Sequence, residues 1–583
     1  MSTAIHTDQG TIEGLDDIPL LVTLQQRIGL AEIIDQHLPR HWLHQGLSIG
    51  QLIVGWNTFI LSEGDHRKVS VRDWALDHRA VLEELFGAPI RDTDFTDDRL
   101  GQVLTHLSDD QAWPKVEEGV WQNSVQVYRL HPACARLDAA TVNGYHTVTP
   151  EGLMQYGHSP DHPGQPQIKV MAGSVDLGSN GHLVAIDVVS GEKADDPLYR
   201  PVLQRLRQTL QEPGLLYLGD SKMGALATRA DIVAHDDFYL VPLAEVGEVP
   251  QLLTQCVEKV VAGEQMTTSI YSQDGPADSP HLLATGYETT RSQSYTSPEG
   301  PSLTWEERLL VLCSPGEAQK ELAALERRLA KATQTLLALT PEPGRGHRQI
   351  REESQLHQRA EAILAHFQVQ GYLKYTFRRE ESTQTRYVGR GRGGKERAQR
   401  SITQVRYVIT GVERDEAAIT ANAQRLGWRL YATNQQSPVL PLEEAVRLYR
   451  QAPRMERHFH LFNAAPVGIE PLYVRRDDQI KGLTRLLSLG VRLLTLIEIV
   501  ARRNLAQRGE KLAGLYEGNP KQRTDQPTAT RLLKAFRRIN RVHLNVAGQS
   551  VHYRTPLSPL QRQILSILEL DDSIYQVPFQ NSG

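Results

Sequence analysis

Two short apolar runs in this chain each deliver an aspartate at or near the end of a predicted β-strand. The first run leads to Asp138, and the second, residues 215–220, ends in Asp220. Carboxylates rarely end buried strands unless another charge meets them there. The fold must therefore compensate both charges, and a sheet that makes the two strands neighbours would bring both carboxylates together.

The segment from residue 135 to residue 243 alternates between strand and helix patterns. Alternating or β-branched residues predict strands over 136–148, 168–175, 182–190, 215–220 and 238–243, with helices over 195–211 and 222–235. This order favours an antiparallel set of three strands joined to parallel βα units. In such a sheet the first and fourth strands can lie side by side, which would place Asp138 next to Asp220.

A third carboxylate, Glu456, lies far downstream in a predicted polar helix. Magnesium prefers hard oxygen ligands, and two-metal phosphoryl transfer needs carboxylates to hold its ions. Any one of these acidic residues alone is more typical of a helix cap or a surface carboxylate. Together with the strand order, they predict that Asp138, Asp220 and Glu456 hold two Mg²⁺ or Mn²⁺ ions.

Composition limits the class of protein. The 583 residues suffice for roughly three or four domains, and 40% hydrophobic with 23% charged residues is typical of a soluble globular protein. A net charge of −5 excludes a globally basic nucleic-acid binder, so any DNA contact would come from local basic patches. Three widely spaced cysteines without a CxxC pair argue against a disulfide framework or zinc module and fit a reducing cytoplasm.

Neither the N-terminal segment nor the most apolar segment of the chain indicates a membrane protein. The first residues are polar and acidic, unlike a signal peptide. The most apolar long segment, 483–500, carries Arg485, Arg492 and Glu498. It is interpreted as a buried amphipathic helix rather than a membrane span.

Changes of pattern divide the chain into five predicted segments. They are a helical N-terminal domain (1–130), the first part of a core (131–244), a β-rich insertion with a helical hairpin (245–425), the last part of the core with the Glu456 helix (426–510), and a C-terminal helical region (511–583). Ser48 and Asp97 are predicted helix starts. For the N-terminal domain, a dimerisation or packing role competes evenly with DNA binding.

The order and spacing of several blocks resemble the insertion-sequence DDE transposases, in particular the large bacterial group whose last block reads Tyr-x2-Arg-x3-Glu-x6-Lys. The matching blocks are 137–141, 156–161 with Gln167, 219–224, and Tyr449 ahead of Glu456. The resemblance implies an α/β fold. It would have a ribonuclease H-like catalytic core with a mixed sheet, a β-rich and helical insertion, an all-α N-terminal domain and a helical C-terminal region.

The resemblance also implies a function and a set of site residues. Family members are prokaryotic, cytoplasmic, nucleoid-associated enzymes that cut DNA at transposon ends and insert the freed ends into target DNA, here expected as a homodimer on DNA. Asp138, Asp220 and Glu456 match the catalytic, metal-binding carboxylates of the family, and Tyr449 matches a tyrosine that contacts DNA phosphate. At the positions where the family has its arginine and lysine, this chain has Ala452 and Asn463. The expected replacements for phosphate contact are Arg450, Arg454 and Arg457.

Further DNA contacts are expected from basic residues elsewhere. His158 could reach DNA or cap a turn, and Lys222 lies two residues after Asp220 in the same block. Arg390, Arg392 and Lys395 lie on a glycine-rich loop that either follows a DNA backbone or is a solvated surface loop. The basic face of a predicted helix near 528–541 could bind DNA or be the solvent-exposed face of a helix that packs on the protein.

Two rival functions stay open. A ribonuclease H-like nuclease without strand transfer would cut general DNA or RNA without inverted repeats. An inactive or repurposed transposase-derived protein would bind DNA without cutting it.

Overall fold

A helical unit opens the structure, a computed structural model that describes residues 5–7, 10–38, 45–157, 159, 162–273, 281–297, 302–388, 398–451, 453–546 and 549–576. Its elements are β1 (Ile5–Thr7), β2 (Gly10–Gly14), α1 (Ile18–Arg27), α2 (Leu30–His37), α3 (Ile49–Glu63), α4 (Lys68–Asp77), α5 (Arg79–Phe86), α6 (Asp97–Leu107) and α7 (Trp113–Tyr128). The predicted start of α3 is confirmed, because Ser48 forms a capping box with Gln51. Helix α6 begins at Asp97, also as predicted.

The next segment builds half of a large mixed sheet. Its elements are β3 (Ala135–Asn143), β4 (Gln155–Tyr156), β5 (Pro166–Leu177), β6 (Asn180–Ser190), a 3₁₀ turn (Asp196–Leu198), α8 (Tyr199–Leu210), β7 (Leu216–Leu218), α9 (Leu226–Ala234) and β8 (Phe238–Pro242). The strands lie in the order β6-β5-β3-β7-β8. β5 runs antiparallel to β6 and β3, while β7 runs parallel to β3 and β8. The strand and helix order predicted for this segment is confirmed.

Residues 245–433 extend that sheet and add a second core. Their elements are α10 (Val249–Val261), β9 (Thr268–Tyr271), β10 (Leu282–Thr296), β11 (Ser302–Cys313), α11 (Pro315–Ala338), α12 (Glu353–His366), β12 (Leu373–Tyr387), β13 (Gln399–Arg414), α13 (Glu416–Ala423) and β14 (Trp428–Thr433). The sheet continues from β8 through β14, β11, β10 and β9, ten described strands in all. Helices α11 and α12 pack together over the base of the β12–β13 ribbon, which confirms the predicted helical hairpin.

The C-terminal part contains the longest described helix. Its elements are α14 (Leu442–Tyr449), α15 (Pro453–Asn463), α16 (Asp477–Arg508), β15 (Leu512–Ala513), β16 (Arg523–Thr524), α17 (Ala529–Lys534), β17 (Asn540–Val546), β18 (Gln549–Arg554), α18 (Pro559–Ile567) and a 3₁₀ turn (Asp572–Tyr575). Residues 483–501 of α16 are buried, as predicted for a core helix. Among the described residues, no helix combines the length and apolarity needed to cross a bilayer.

The expectations of an all-α N-terminal domain and a helical C-terminal region are wrong in one respect. Strands β1, β2, β17 and β18 form a four-stranded sheet, in which β2 pairs antiparallel with β17. The predicted basic helix ends at Lys534, and Arg538 adopts a left-handed backbone with φ of 71°. The chain then leaves the helix, and the Leu15 amide donates to the Ile539 carbonyl at 2.7 Å.

Close packing sets the distance between α8 and the sheet. Helix α8 crosses over β5, where Gly173 lies opposite Leu137 of β3. A Cβ atom on Gly173 would come within 2.7 Å of the Leu206 side chain, so a larger residue would push α8 away. The sheet is therefore tightly packed under α8 at this point.

Candidate active site

Asp138 and Asp220 are brought together by the register of two parallel strands. Ala135 pairs with Tyr217 and Arg136 with Leu218, so the same offset sets Asp138 beside Asp220. Asp138 lies inside β3, whereas Asp220 lies two residues beyond the end of β7. The sequence prediction that these two strands are neighbours is confirmed.

Glu456 reaches the same place from helix α15. Met455, the preceding residue, is buried with its sulfur 3.2 Å from the Ser174 hydroxyl of β5. Because consecutive helical residues point about 100° apart, anchoring Met455 against the sheet leaves Glu456 on a different side of the helix. Glu456 is exposed and lines a cavity rather than the core.

The three carboxylates line one cavity of about 210 Å³. Its lining residues are Arg136, Leu137, Asp138, Leu218, Gly219, Asp220, Tyr449, Met455 and Glu456. Residues from β3, the end of β7 and the α14–α15 region thus meet, although they are far apart in the sequence.

The cavity carries uncompensated negative charge. Burial, and to a lesser extent the nearby carboxylates of Asp220 and Glu456, raise the pKa of Asp138 from 3.8 to about 6, against a hydrogen bond from the Ala139 amide. Within the part of the chain that the structure describes, no lysine or arginine forms a salt bridge with any of the three carboxylates. A cation placed between them would lower the pKa of Asp138.

Asp220 is held by a local turn and by one distant tyrosine. Its Oδ1 atom accepts hydrogen bonds from the backbone amides of Lys222 (2.9 Å) and Met223 (3.2 Å). It also accepts one from the Tyr199 hydroxyl at 2.7 Å, and Tyr199 is fully buried at the start of α8. This tyrosine was missed in the sequence, where nothing links it to Asp220.

A buried ion pair holds the wall of the cavity. The Arg136 guanidinium donates to both carboxylate oxygens of Asp176, with Nε–Oδ1 and Nη2–Oδ2 distances of 3.0 and 2.9 Å. It also donates to the Leu448 carbonyl at 2.8 Å, next to Tyr449. Arg136 therefore ties β3 to the end of α14, while its charge is matched by Asp176 rather than by the site.

The donor set suits a hard divalent cation, because it offers carboxylate oxygens only. Across the described residues, no three His, Cys, Asp or Glu side chains are close enough together to form a ready-made metal cluster. The three carboxylates therefore share a cavity but lie too far apart to form such a cluster. A bound cation would offset the burial and the repulsion that raise the pKa of Asp138.

Of the described residues expected at DNA, Tyr449 alone lines the cavity. Its ring packs edge-to-face on Tyr431 with centroids 4.8 Å apart. Arg450 is exposed and donates to the Ser314 hydroxyl at 2.9 Å, and Lys222 is exposed near Asp196. Arg457 instead pairs with the buried Glu498 of α16, at 2.5 Å.

The other expected DNA contacts cannot be placed. His158, Arg390, Arg392 and Lys395 lie outside the described residues, as does the side chain of Arg454. Ala452, at the position of the family arginine, also lies outside them. The expected DNA contacts stay predictions.

Comparisons with known proteins add little. No protein-family model matches this sequence, and no curated protein is significantly similar to it. Among solved structures, the chain is similar to a piggyBac transposase, from a cryo-EM structure of its synaptic complex with hairpin DNA. The TM-score is 0.33 and the identity 9%, over 100% of this chain and 89% of that chain. A TM-score this low does not establish a shared fold, so the geometry of the cavity carries the functional conclusion.

Proposed function

We propose that this protein is a DNA transposase that moves an insertion sequence by metal-dependent phosphoryl transfer. The single observation that carries this proposal is the meeting of Asp138, Asp220 and Glu456 in one cavity without a compensating basic residue among those described. Structural carboxylates are usually paired, whereas catalytic ones are kept unpaired for a ligand.

The sheet topology supports the same proposal. The strand order β6-β5-β3-β7-β8, antiparallel on one side of β3 and parallel on the other, is the arrangement expected of a ribonuclease H-like core. In that arrangement the first and fourth strands carry the acidic residues, as β3 and the end of β7 do here. We therefore include a ribonuclease H-like catalytic core, interrupted by residues 245–425, in the proposal.

The protein's own residues would hold the metal ions and position the DNA. Asp138, Asp220 and Glu456 would bind two Mg²⁺ or Mn²⁺ ions, and Tyr199 would keep Asp220 in one rotamer. When bound, such ions activate the attacking oxygen and stabilise the leaving oxygen. The half-buried Tyr449 at the rim would position the DNA backbone beside the carboxylates. Two transposon ends would require two copies of the chain on DNA.

A cleavage assay tests this function. Wild-type protein with Mg²⁺ or Mn²⁺ is expected to nick DNA that carries the element's own ends at the junction, and Asp220→Ala is expected not to. Metal-dependent cutting without end specificity would favour a plain nuclease. Specific binding without any cutting would favour a repurposed DNA-binding protein.

Removing the Tyr199 hydroxyl is expected to weaken the site without emptying it. In Tyr199→Phe, Asp220 keeps its two backbone hydrogen bonds but loses its only described side-chain donor. Losing a hydrogen bond that orients a metal ligand costs roughly 10–100-fold in metal affinity or activity. Mn²⁺ titration by calorimetry checks this, and unchanged Mn²⁺ affinity would contradict the positioning role.

Metal affinity is expected to depend on pH through Asp138. Because the pKa of Asp138 is about 6 in the folded protein, a proton competes with the metal below that pH. Mn²⁺ affinity should therefore rise steeply from pH 5 to pH 7 and level off above it. Calorimetric titrations across this range measure the effect, and a flat profile would show that Asp138 is not a ligand.

A further inference from the structure

The β12–β13 ribbon extends beyond the core that supports its base. Its strands pair antiparallel from Leu373 opposite Arg414 to Tyr387 opposite Gln399. Buried side chains such as Leu373 and Ile409 anchor the base against α11 and α12. The outer half, residues 381–387 paired with 399–405, is here named the distal ribbon, and its first strand is exposed at every position.

A two-stranded ribbon that packs on nothing else is only marginally stable in water. The first strand of the distal ribbon is exposed throughout, so a binding partner would stabilise the ribbon. Its composition is also unusual for a free-standing element. Apart from Glu381, its charged residues are Arg386 and Arg400, and most of the rest are Thr, Ser and Gln. Such side chains hydrogen-bond readily but cannot form an apolar interface.

Arg386 and Arg400 lie directly opposite each other across the two strands. Like charges in this position destabilise a sheet by up to about 1 kcal/mol. Both are exposed, and neither forms a salt bridge with a residue that the structure describes. By contrast, Arg378 and Arg379 on the same strand pair with Glu380 and Glu381 at 2.5 Å. The two opposed arginines are thus left available for an anion.

We infer that the distal ribbon binds duplex DNA by entering its major groove, with Arg386 and Arg400 neutralising backbone phosphates. The inference rests on the proposed function in taking DNA as the substrate. B-DNA's major groove, about 12 Å wide, admits a two-stranded ribbon. Seven residues of strand span roughly 23 Å, about two-thirds of a helical turn. Neutral side chains on one face of the ribbon, among them the cross-strand pair Thr383 and Thr403, would face base edges.

The net charge of −5 makes this local positive pair significant, because the chain as a whole repels DNA. The phosphate backbone would relieve the repulsion between Arg386 and Arg400 on binding. Residues 389–397, which join the two strands, lie outside the described residues and form no part of the inferred surface.

Fluorescence anisotropy with the full-length protein and a labelled 30-base-pair duplex, without divalent metal, tests this inference. The double variant Arg386→Gln/Arg400→Gln is expected to bind about tenfold more weakly. Its plot of log affinity against log salt should lose roughly 0.9 in slope for each arginine removed. The control Arg414→Gln/Arg425→Gln removes the same charge from arginines paired with Glu326 and Glu258, and should bind like wild type.

Melting curves guard against misfolding, because removing a like-charge pair should leave the melting temperature unchanged or slightly higher. Wild-type affinity and salt slope in the ribbon variant would overturn the inference, as would an equal loss in the control. An equal loss with single-stranded DNA would overturn groove entry. Ribbon-dependent binding without cleavage by the wild type would instead refute only the proposed function.

Discussion

Replacing Asp138 by asparagine is expected to abolish metal-dependent DNA cleavage while making the metal-free protein more stable. Loss of a central catalytic group costs roughly 10³-fold or more in rate. The gain in stability follows from burial, which raises the pKa of Asp138 to about 6 from 3.8. A shift of that size corresponds to roughly 3 kcal/mol of unfavourable charge at neutral pH, and partial exposure reduces the expected gain to about 1–2 kcal/mol.

The sign of this effect depends on pH. Between pH 4 and pH 6 the folded protein binds the proton of Asp138 more tightly than the unfolded chain does, so wild-type stability falls as the pH rises. The advantage of Asp138→Asn should therefore be complete above pH 6 and disappear near pH 4. Urea denaturation without divalent metal, at several pH values, measures the difference directly.

Asp237→Asn is the matched control for Asp138→Asn. Asp237 is buried before β8, but it accepts from Arg207 at 2.7 Å and from the Gly214 amide at 3.1 Å. The same substitution there should cost roughly 1–3 kcal/mol and leave cleavage by the folded fraction unchanged. If Asp138→Asn also destabilised the protein, its carboxylate would be a structural group rather than one kept for a ligand.

Replacing Glu117 by alanine is expected to give the largest loss of stability. Glu117 is completely buried in α7, and its Oε1 atom accepts from Arg492 of α16 at 2.5 Å and from the Ile186 amide of β6 at 2.9 Å. Burial already lowers the pKa of Arg492, and Glu117 opposes that shift. Removing the carboxylate would strand a buried guanidinium, which costs roughly 3–5 kcal/mol.

The neighbouring glutamate offers a control for Glu117. Glu118 lies on the same helix, is partly exposed and accepts from Gln211 at 2.7 Å. Its replacement by alanine should change the free energy of unfolding by no more than about 0.5 kcal/mol. A loss below about 1 kcal/mol in Glu117→Ala would mean that the contact between α7, β6 and α16 is not held by this ion pair.

Local patterns predicted the elements that carry the carboxylates. Alternating and β-branched runs identify β3, β5 and β6, and the chain order of strands and helices was enough to make β3 and β7 neighbours. Asp138 and Asp220 could thus be paired before their register was known. Glu456 could be placed only through its resemblance to a family, because a polar helix gives no indication of which strand it will meet.

Contacts set by packing could not be predicted. Tyr199 reaches Asp220 only because α8 folds back over the sheet, and no spacing rule links the two. Arg457 was expected at DNA because it adjoins Glu456. One step along a helix turns a side chain by about 100°, however, and this step directs Arg457 to Glu498.

Pairing between strands that are distant in the sequence could not be predicted either. Leu533, Phe536 and Ile539 recur at helical spacing, and this pattern predicted a helix to about residue 541. Strand β17 forms there instead because β2, at the other end of the sequence, supplies its hydrogen bonds. A helical pattern cannot reveal a partner that lies so far away.

Iron-directed self-cleavage would test the central claim most directly. Fe²⁺ with ascorbate and peroxide generates hydroxyl radicals that cut the backbone beside bound metal. The proposed site predicts cuts near residues 138, 220 and 456, suppressed by excess Mg²⁺ and absent in Asp138→Asn. Cuts elsewhere, or cuts at these positions that neither Mg²⁺ nor the substitution reduces, would show that the three carboxylates do not form a divalent metal site.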